Sequence, residues 1–141
     1  MADDCVFCKI RDGKIPSRKI YEDDATLAFM DINPLNNGHC LVVTKRHAAT
    51  IWEAEVADLQ AAIATAKKVA TALRETVKPD GLNMLQANGA AAFQSVAHYH
   101  LHLIPRWVGD GKGFDWALSP GDREQIAATG DRLRAALGQT R

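Results

Sequence analysis

The feature that most constrains this chain is a run in which histidines alternate with apolar residues until a proline closes the pattern. The run is His98-Tyr99-His100-Leu101-His102-Leu103-Ile104-Pro105. Successive side chains of a β-strand point to opposite faces, so the alternation predicts a strand. The apolar side chains should face a core, and the three imidazoles should lie about 6.6–7 Å apart on the other face. Such a row can bind a metal, bind phosphate or attack phosphorus.

The composition limits the classes of protein that the chain can represent. With 141 residues, 47% of them apolar, it predicts one globular domain over residues 1–141. Basic and acidic residues both number 17, and this zero formal charge argues against nucleic acid or an anionic membrane as the main partner. Since the sequence shows no apolar leader and no membrane-spanning stretch, we expect a cytoplasmic protein without a disulfide framework.

Turn-forming residues divide the rest of the chain into strands and two helices. Extended structure is predicted from Tyr21 and over residues 26–31, 39–44 and 82–87. The stretch 39–44 is nearly continuous in apolar residues and should be covered on both faces. A capping-box pattern at Thr50 and Glu53 predicts a helix over 51–77. A last helix, on the surface, should begin within 119–122.

Apolar residues of the long predicted helix recur at intervals of three and four. They are Val56, Leu59, Ile63, Ala66, Ala70, Leu73 and Val77. This spacing predicts a stripe that packs on the sheet. A heptad-like seam with small residues also suits contact with a second subunit, although we expect most of the stripe to be core.

The cysteine pair near the N-terminus, Cys5 and Cys8, is open to three interpretations. The two residues can be ordinary small side chains, one of them exposed, a redox pair, or half of a zinc site. A thioredoxin-like pair follows a strand, and no strand precedes this one. A zinc half-site needs two more ligands elsewhere. His47, which follows the strand 39–44, is either an ordinary surface histidine or a functional one.

The loop 88–95 is rich in glycine and alanine and leads directly into the histidine run. It is either a plain connector or a phosphate-binding loop, because small residues let backbone N–H groups approach a phosphate. Its position beside three histidines favours the second interpretation.

The histidine run, preceded by Gln94 and Ser95, resembles the signature of the histidine triad (HIT) family. The resemblance extends, in the family's order, to the cysteine pair and to residues 28–34, 38–47 and 83–106. It implies an α+β, HIT-like fold: a five-stranded antiparallel sheet with one long central helix and a C-terminal helix. It also implies a homodimer.

The single HIT domain would carry an N-terminal zinc-binding segment at residues 1–16 and a C-terminal helical segment at 119–141. The resemblance implies a structural zinc, as in the zinc-carrying, bacterial-type branch of the family. Its ligands would be Cys5, Cys8, His47 and His98. Four protein ligands describe a closed site, which would pin the N-terminus to the strand just before His100.

The activity implied by the resemblance is that of a nucleotide hydrolase or nucleotidyl transferase acting at the α-phosphate of purine nucleotides. The substrate would be of the phosphoramidate or dinucleoside polyphosphate type. His100 would be the catalytic nucleophile that forms a nucleotidyl-histidine, and His102 would assist the leaving group. The implied substrate-binding residues are Asp31, Ile32, His39, Asn88, Gln94 and Ser95.

One position departs from the family pattern, because Phe93 stands where many members have glycine before Gln94. Phenylalanine makes a positive φ costly, which counts against a backbone contact at position 93, and we expect the ring to narrow the pocket. Trp107, Phe114 and Trp116 are expected to shape the leaving-group side.

Two other functions fit the same histidines. In a three-histidine metalloenzyme they would hold a catalytic metal. However, three side chains on one strand face converge less than the ligands of a usual three-histidine site, and the loop 88–95 would have no role. In a nucleotide-binding regulatory module with little turnover, the same motifs would serve binding alone.

Overall fold

Five strands form one antiparallel sheet in the computed structural model, which describes residues 4–113 and 116–139. The strands are β1 (Lys19–Glu22), β2 (Thr26–Met30), β3 (Cys40–Thr44), β4 (Gly81–Leu85) and β5 (His100–Arg106). Their order is β1-β2-β3-β5-β4, and each neighbouring pair is antiparallel. The predicted sheet is confirmed. The histidine strand β5 lies within it, hydrogen-bonded to β3 and β4.

Three α-helices accompany the sheet in the described residues. They are α1 (Val6–Arg11), α2 (Val56–Thr76) and α3 (Arg123–Ala136), and a 3-10 turn covers Ala90–Ala92. The long central helix and the C-terminal helix are confirmed. The sequence analysis did not predict α1, whose N-terminal turn carries the cysteine pair.

The long helix begins later than predicted. Thr50 O accepts hydrogen bonds from Glu53 N and Ala54 N, while Glu53 Oε2 accepts one from Ala49 N at 3.0 Å. The side chain of Glu53 therefore bonds to the backbone of Ala49 and not to that of Thr50, and these residues form a separate turn before the helix. The helix starts five residues beyond the predicted start, at Val56.

The buried face of α2 is rotated from the predicted stripe. Its buried residues are Ala62, Thr65, Ala66, Val69 and Leu73. Val56 and Ile63, predicted to face the sheet, are 66% and 47% exposed, and Ala70 is only half-buried. Small residues lie against the sheet because they let the helix axis come close to β2, β3 and β5. Val56 and Ile63 are consequently turned outward.

The sheet has an apolar cluster on each face. Tyr99, Leu101 and Leu103 pack with α2 on one face, as predicted from their alternation with the histidines. On the other face, Phe7 and the cysteine pair of α1 pack against β2 and β3. Because the histidines of β5 point to this second face, α1 and the histidines share one side of the sheet.

The last helix, α3, lies on the surface as predicted and contains no buried residue. Asp122 caps it, with Oδ1 accepting hydrogen bonds from Glu124 N and Gln125 N. Among the described helices, none combines the length and the apolar character needed to cross a bilayer.

Candidate active site and metal centre

A cavity of about 310 Å³ opens on the α1 side of the sheet, with His100 and His102 in its lining. Its apolar walls are formed by Val6, Phe7, Ile10, Ile15, Phe29 and Leu41. Asp31, Ile32 and Ser95 also line it, so five of the predicted catalytic and substrate-binding residues meet here. An apolar pocket with a few polar groups in its lining is typical of a site for a small organic ligand.

The orientation of the His100 ring is set by a backbone carbonyl. Nδ1 of His100 lies 2.6 Å from His98 O. A carbonyl oxygen only accepts, so Nδ1 carries the proton and Nε2 retains its lone pair. Burial lowers the pKa of His100, and the hydrogen bond to His98 and the charge of Asp31 oppose this shift. The ring is therefore neutral at pH 7 and has the form that a nitrogen nucleophile requires.

A second hydrogen-bond chain fixes the proton of His102. Leu35 N donates to His39 Nδ1 at 2.9 Å, so the neutral His39 carries its proton on Nε2. That nitrogen lies 3.0 Å from His102 Nδ1, which must accept. His102 then carries its own proton on Nε2. This N–H is a donor suited to a phosphate oxygen or a leaving group.

The electrostatics keep these rings uncharged. Burial, followed by the neighbouring His100 and His39, lowers the pKa of His102 to about 4. Burial also lowers the pKa of His39, against the opposing charge of Asp31, whose Oδ2 lies 3.4 Å from His39 Nε2. The described lining of the cavity includes no lysine or arginine. A bound phosphate would thus be stabilised by N–H groups rather than by a fixed cation.

Gln94 closes the loop before β5 instead of lining the cavity. Its Oε1 accepts from Gly89 N at 2.7 Å, and its Nε2 donates to Ala49 O at 2.6 Å and to Val96 O at 3.0 Å. These three bonds hold the two ends of the loop together and tie it to the turn before α2. Ser95, the next residue, lines the cavity.

Asn88 is likewise engaged in the loop. Its Oδ1 accepts from Ile51 N at 2.7 Å, and its Nδ2 donates to Gln86 Oε1 at 2.6 Å. It is not among the residues lining the cavity. His39 lies behind His102 in an adjoining depression of about 350 Å³.

Phe93 adopts the costly backbone conformation, and the expectation that its ring narrows the pocket is wrong. Its φ is +63°, in the left-handed region, and its side chain is 91% exposed. It does not line the cavity and so does not narrow it. Hydrogen bonds from Phe93 N to Ala90 O and from Gln94 N to Gly89 O close the turn and hold this residue in the costly conformation.

Of the residues expected on the leaving-group side, Trp107 and Trp116 do not line the cavity. Trp107 lies beyond the far end of β5, where Nε1–H donates to Lys78 O at 3.2 Å. Trp116 is 72% exposed, and Phe114 lies outside the described residues. The depression next to His102 is instead lined by Leu85 and Ile104.

The four predicted metal ligands come together below α1. Cys5 Sγ lies 3.3 Å from His98 Nδ1, and Cys8 Sγ lies 3.5 Å from the same nitrogen. His47 Nδ1 lies 3.4 Å from Cys8 Sγ and 3.1 Å from His98 Nδ1. Tetrahedral zinc bonds of about 2.3 Å to sulfur and 2.0–2.1 Å to nitrogen would separate such atoms by about 3.3–3.6 Å. The spacing and the donor set fit a zinc ion.

The second nitrogen of His98 completes this fit. His98 Nε2 lies 2.6 Å from Thr44 O, so it donates its proton there and turns the Nδ1 lone pair toward the cysteines. Burial, with a contribution from Cys5, raises the pKa of the Cys8 thiol to about 11. A thiolate at this position therefore requires a cation. Both cysteines are buried and free of disulfides, which counts against the interpretation as two ordinary small residues with one exposed.

The three histidines of the run do not converge as one metal tripod. His98 faces the cysteines, His100 donates to a carbonyl, and His102 accepts from His39. Among the described residues, the other group close enough to share a cation is Asp31, His39 and His102. The geometry therefore places the first histidine in a cluster that could hold a metal and the other two in the lining of the cavity.

The sequence analysis missed the apolar wall that α1 contributes. Ile10 lies one helical turn beyond Val6 and Phe7, a spacing that points to one face of a short helix. This apolar spacing is visible in the sequence, but six residues are too few for periodicity to predict a helix.

Comparisons with known proteins agree with this geometry. The model of the HIT domain family matches residues 12–108. "Protein hit" of Bacillus subtilis is 44% identical over 122 residues, covering 86% of this chain and 84% of that protein. Adenosine 5'-monophosphoramidase hnt1 of Schizosaccharomyces pombe is 38% identical over 134 residues, covering 94% and 98%. The crystal structure of a zinc-bound histidine triad family protein from Mycobacterium smegmatis has a TM-score of 0.76 and 35% identity, covering 96% and 99%.

Proposed function

This chain belongs to the HIT domain family, and from that premise we propose that it is a hydrolase or nucleotidyl transferase that cleaves purine nucleotides at the α-phosphate. One observation carries the proposal. The neutral ring of His100 commits its Nδ1–H to His98 O, which leaves Nε2 as a nucleophile in the lining of an apolar cavity. The similarity to a protein named as an adenosine phosphoramidase supports the same chemistry.

In the first step, His100 Nε2 attacks the α-phosphorus and the bond from phosphorus to the leaving group breaks. The Nε2–H of His102 hydrogen-bonds to the departing amine or oxygen, whose basicity rises as the bond breaks, and the leaving group takes its proton from solvent. His102 can donate as a neutral ring because the Leu35–His39 chain fixes its tautomer. Ser95 and the backbone N–H groups before β5 would stabilise the charge on the phosphate oxygens.

In the second step, water attacks the nucleotidyl-histidine and the nitrogen–phosphorus bond breaks. His100 regains its neutral form, the nucleoside monophosphate leaves, and the proton lost by the attacking water goes to solvent. An acceptor other than water would make the same intermediate a nucleotidyl donor. Water access to the open side of the cavity favours hydrolysis.

The nucleoside is assigned to the apolar part of the cavity. Phe29 and Phe7 offer ring surfaces to a purine, and Asp31 is placed to accept hydrogen bonds from ribose hydroxyls. Ile32, 89% exposed, would cover the nucleoside from the mouth. We propose a nucleoside phosphoramidate as the preferred substrate over a dinucleoside polyphosphate, because few cationic groups are available for extra phosphates.

A turnover panel of adenosine phosphoramidate against diadenosine polyphosphates tests the activity and the substrate class together. His100→Ala should lower turnover by at least roughly 10³-fold without changing the circular dichroism spectrum. Cys40→Ala, which alters a buried thiol on the opposite face of β3, should keep the wild-type rate. Full activity of His100→Ala would contradict the assignment.

We also propose that Cys5, Cys8, His47 and His98 bind one structural zinc. Bound there, zinc would balance the charge of the two thiolates and crosslink α1 to the segment before β5, with no open position for chemistry. Elemental analysis of the purified protein should find one zinc per chain. Loss of that zinc in Cys8→Ser, but not in Cys40→Ser, would identify the ligands.

For the assembly, we propose a homodimer formed by α2 and the unpaired edge of β4. Helix α2 packs over β2, β3 and β5, so Leu82 and Met84 of β4 are left 38% and 47% exposed. Ile63 of α2, 47% exposed, continues this apolar surface. The balanced charge supports small-molecule substrates rather than nucleic acid or membrane, and the three free cysteines support a cytoplasmic location.

A further inference from the structure

The short helix α1 belongs to the metal centre and to the nucleotide cavity at the same time. Cys5 and Cys8 face His47 and His98. The residues between and after them line the cavity. These are Val6, Phe7, Ile10, Ile15, Pro16 and Ser17. One segment of chain thus supplies two metal ligands and a large share of the pocket wall.

Phe7 is the side chain through which the two sites meet. It lies between the cysteines in sequence and is 5% exposed. Its ring contacts His100 edge-on, with centroids 5.0 Å apart and planes at 84°, and contacts the metal-site His98 at 5.9 Å. It also packs against Phe29 of the cavity at 5.4 Å. Any displacement of Phe7 must move a wall of the cavity and a face of His100.

The helix has too little structure of its own to hold Phe7 in place. Six residues are about half the length at which an isolated helix becomes even marginally stable in water. Its first turn is capped by Cys5 Sγ, which accepts from Cys8 N at 3.4 Å. Arg11 anchors the other end, donating to Lys45 O at 2.7 Å. The cysteine–histidine cluster is therefore the principal polar anchor of the turn that carries Phe7.

We propose that Phe7 is a positioning residue that couples the Cys5/Cys8/His47/His98 centre to the nucleotide cavity, so that metal occupancy sets nucleotide affinity. This inference rests on the proposed function. Metal binding orders α1 and fixes the Phe7 ring before the nucleotide binds. The entropic cost of ordering α1 is then no longer subtracted from the free energy of nucleotide binding. Linkage requires the reverse effect as well, because nucleotide must strengthen metal binding by the same factor.

Calorimetric titration with AMP, which is not turned over, tests the coupling. Removing zinc from the wild-type protein should weaken AMP binding at least tenfold, and amide exchange over residues 5–17 should accelerate. Phe7→Ala should retain its zinc but bind AMP more weakly, and zinc removal should then change its AMP affinity less than threefold. Phe7→Leu, which keeps most of the volume, should recover part of the zinc dependence. Cys40→Ala should show the full wild-type dependence.

The outcomes separate this inference from the proposed function. If the zinc-loaded protein binds no AMP, the proposed function fails. If AMP binds equally with and without zinc, or if Phe7→Ala keeps the tenfold dependence, the coupling fails and the function stands. Should zinc removal unfold the chain, the rate of zinc release to a chelator is measured on the loaded protein. Saturating AMP should slow that release for the wild type and not for Phe7→Ala, and an equal rate overturns the coupling.

Discussion

At the scale of single residues, the chemistry depends on which nitrogen of each imidazole carries its proton, and the backbone decides this at three rings. Thr44 O accepts a hydrogen bond from Nε2 of His98, and His98 O accepts one from Nδ1 of His100. Leu35 N donates a hydrogen bond to Nδ1 of His39. The alternation in the sequence predicted which histidines share a face. It could not predict these partners, because they come from segments far apart in the chain or from loop geometry.

The pH dependence of catalysis follows from the burial of these rings. Burial lowers the pKa of His100 below its usual 6.5, and that of His102 to about 4. A base with a lowered pKa stays unprotonated until the pH falls below that value. The kcat/KM of the free enzyme should therefore be level down to about pH 6.5 and decline only in more acidic buffer, after correction for uncatalysed hydrolysis.

Besides the two rings themselves, Asp31 and His39 are the titratable groups whose charges act on these pKa values. Asp31 raises the pKa of both His100 and His102, so Asp31→Asn should shift the acid limb of the profile to still lower pH. An acid limb at or above pH 6.5 in the wild type would contradict neutral, buried catalytic rings.

His39 is expected to act on turnover through His102. His39→Ala removes the donor to His102 Nδ1, so the ring can adopt the tautomer that has no proton facing the cavity. We expect kcat to fall about 10–100-fold, the usual effect of removing such an outer partner. AMP affinity should change little. His39→Gln, whose amide can still donate, should retain more activity, and equal rates for the two variants would argue against the tautomer role.

At the scale of elements, strands were easier to predict than the ends of helices. The sheet follows from apolar alternation bounded by turn residues, and β3 is buried along its whole length as its composition indicates. Helix α1 was missed because its anchors, Cys5 and Cys8, are recognisable only beside His98, about ninety positions later. The start of α2 was misplaced because Glu53 can reach either Thr50 or Ala49, and the sequence does not decide between them.

The loop before β5 contains two positive φ angles of unequal importance. Gly89 has φ +90° and ψ 161°, a region nearly closed to other residues, although its Cβ would meet no atom within 4 Å. Gly89→Ala should therefore cost roughly 1–3 kcal/mol of stability through the backbone alone. It should also lower turnover, since Gly89 N holds Gln94 just before Ser95.

Phe93→Gly is the matched control in the same loop. It removes the strain of a positive φ at a non-glycine residue, whereas Gly89→Ala introduces such strain. Its stability in urea should lie within about 1 kcal/mol of the wild type, with activity retained. If Gly89→Ala is as stable and active as Phe93→Gly, the loop does not depend on the backbone geometry described here.

At the scale of the whole molecule, α1 and α2 lie on opposite faces of one sheet, and the two faces have different roles. The α2 face forms a core and leaves an apolar surface on β4, whereas the α1 face carries the candidate metal ligands and the cavity. Composition and periodicity predicted a single domain with such a core. They could not predict the shared wall, since the cavity joins residues from five separate parts of the chain.

The exposed surface of β4 predicts the state of assembly. The wild-type protein should sediment with twice the chain mass, because the edge of β4 and its exposed Met84 are covered by a second copy. Met84→Asp should shift the protein to monomer. Ile20→Asp, which adds the same charge at a 45% exposed position on the opposite edge strand, should remain dimeric. A monomeric wild type, or dissociation by both variants, would contradict this interface.

The central claim is that His100 becomes covalently bonded to phosphorus during turnover. The most direct measurement is rapid quenching of the protein with adenosine phosphoramidate at alkaline pH, where phosphohistidine survives, followed by mass spectrometry of the peptide that contains His100. The account predicts an adenylyl group on His100, absent from His100→Ala and lost on longer incubation as AMP appears. Turnover at the full rate with no adduct, or an adduct on a different residue, would contradict it.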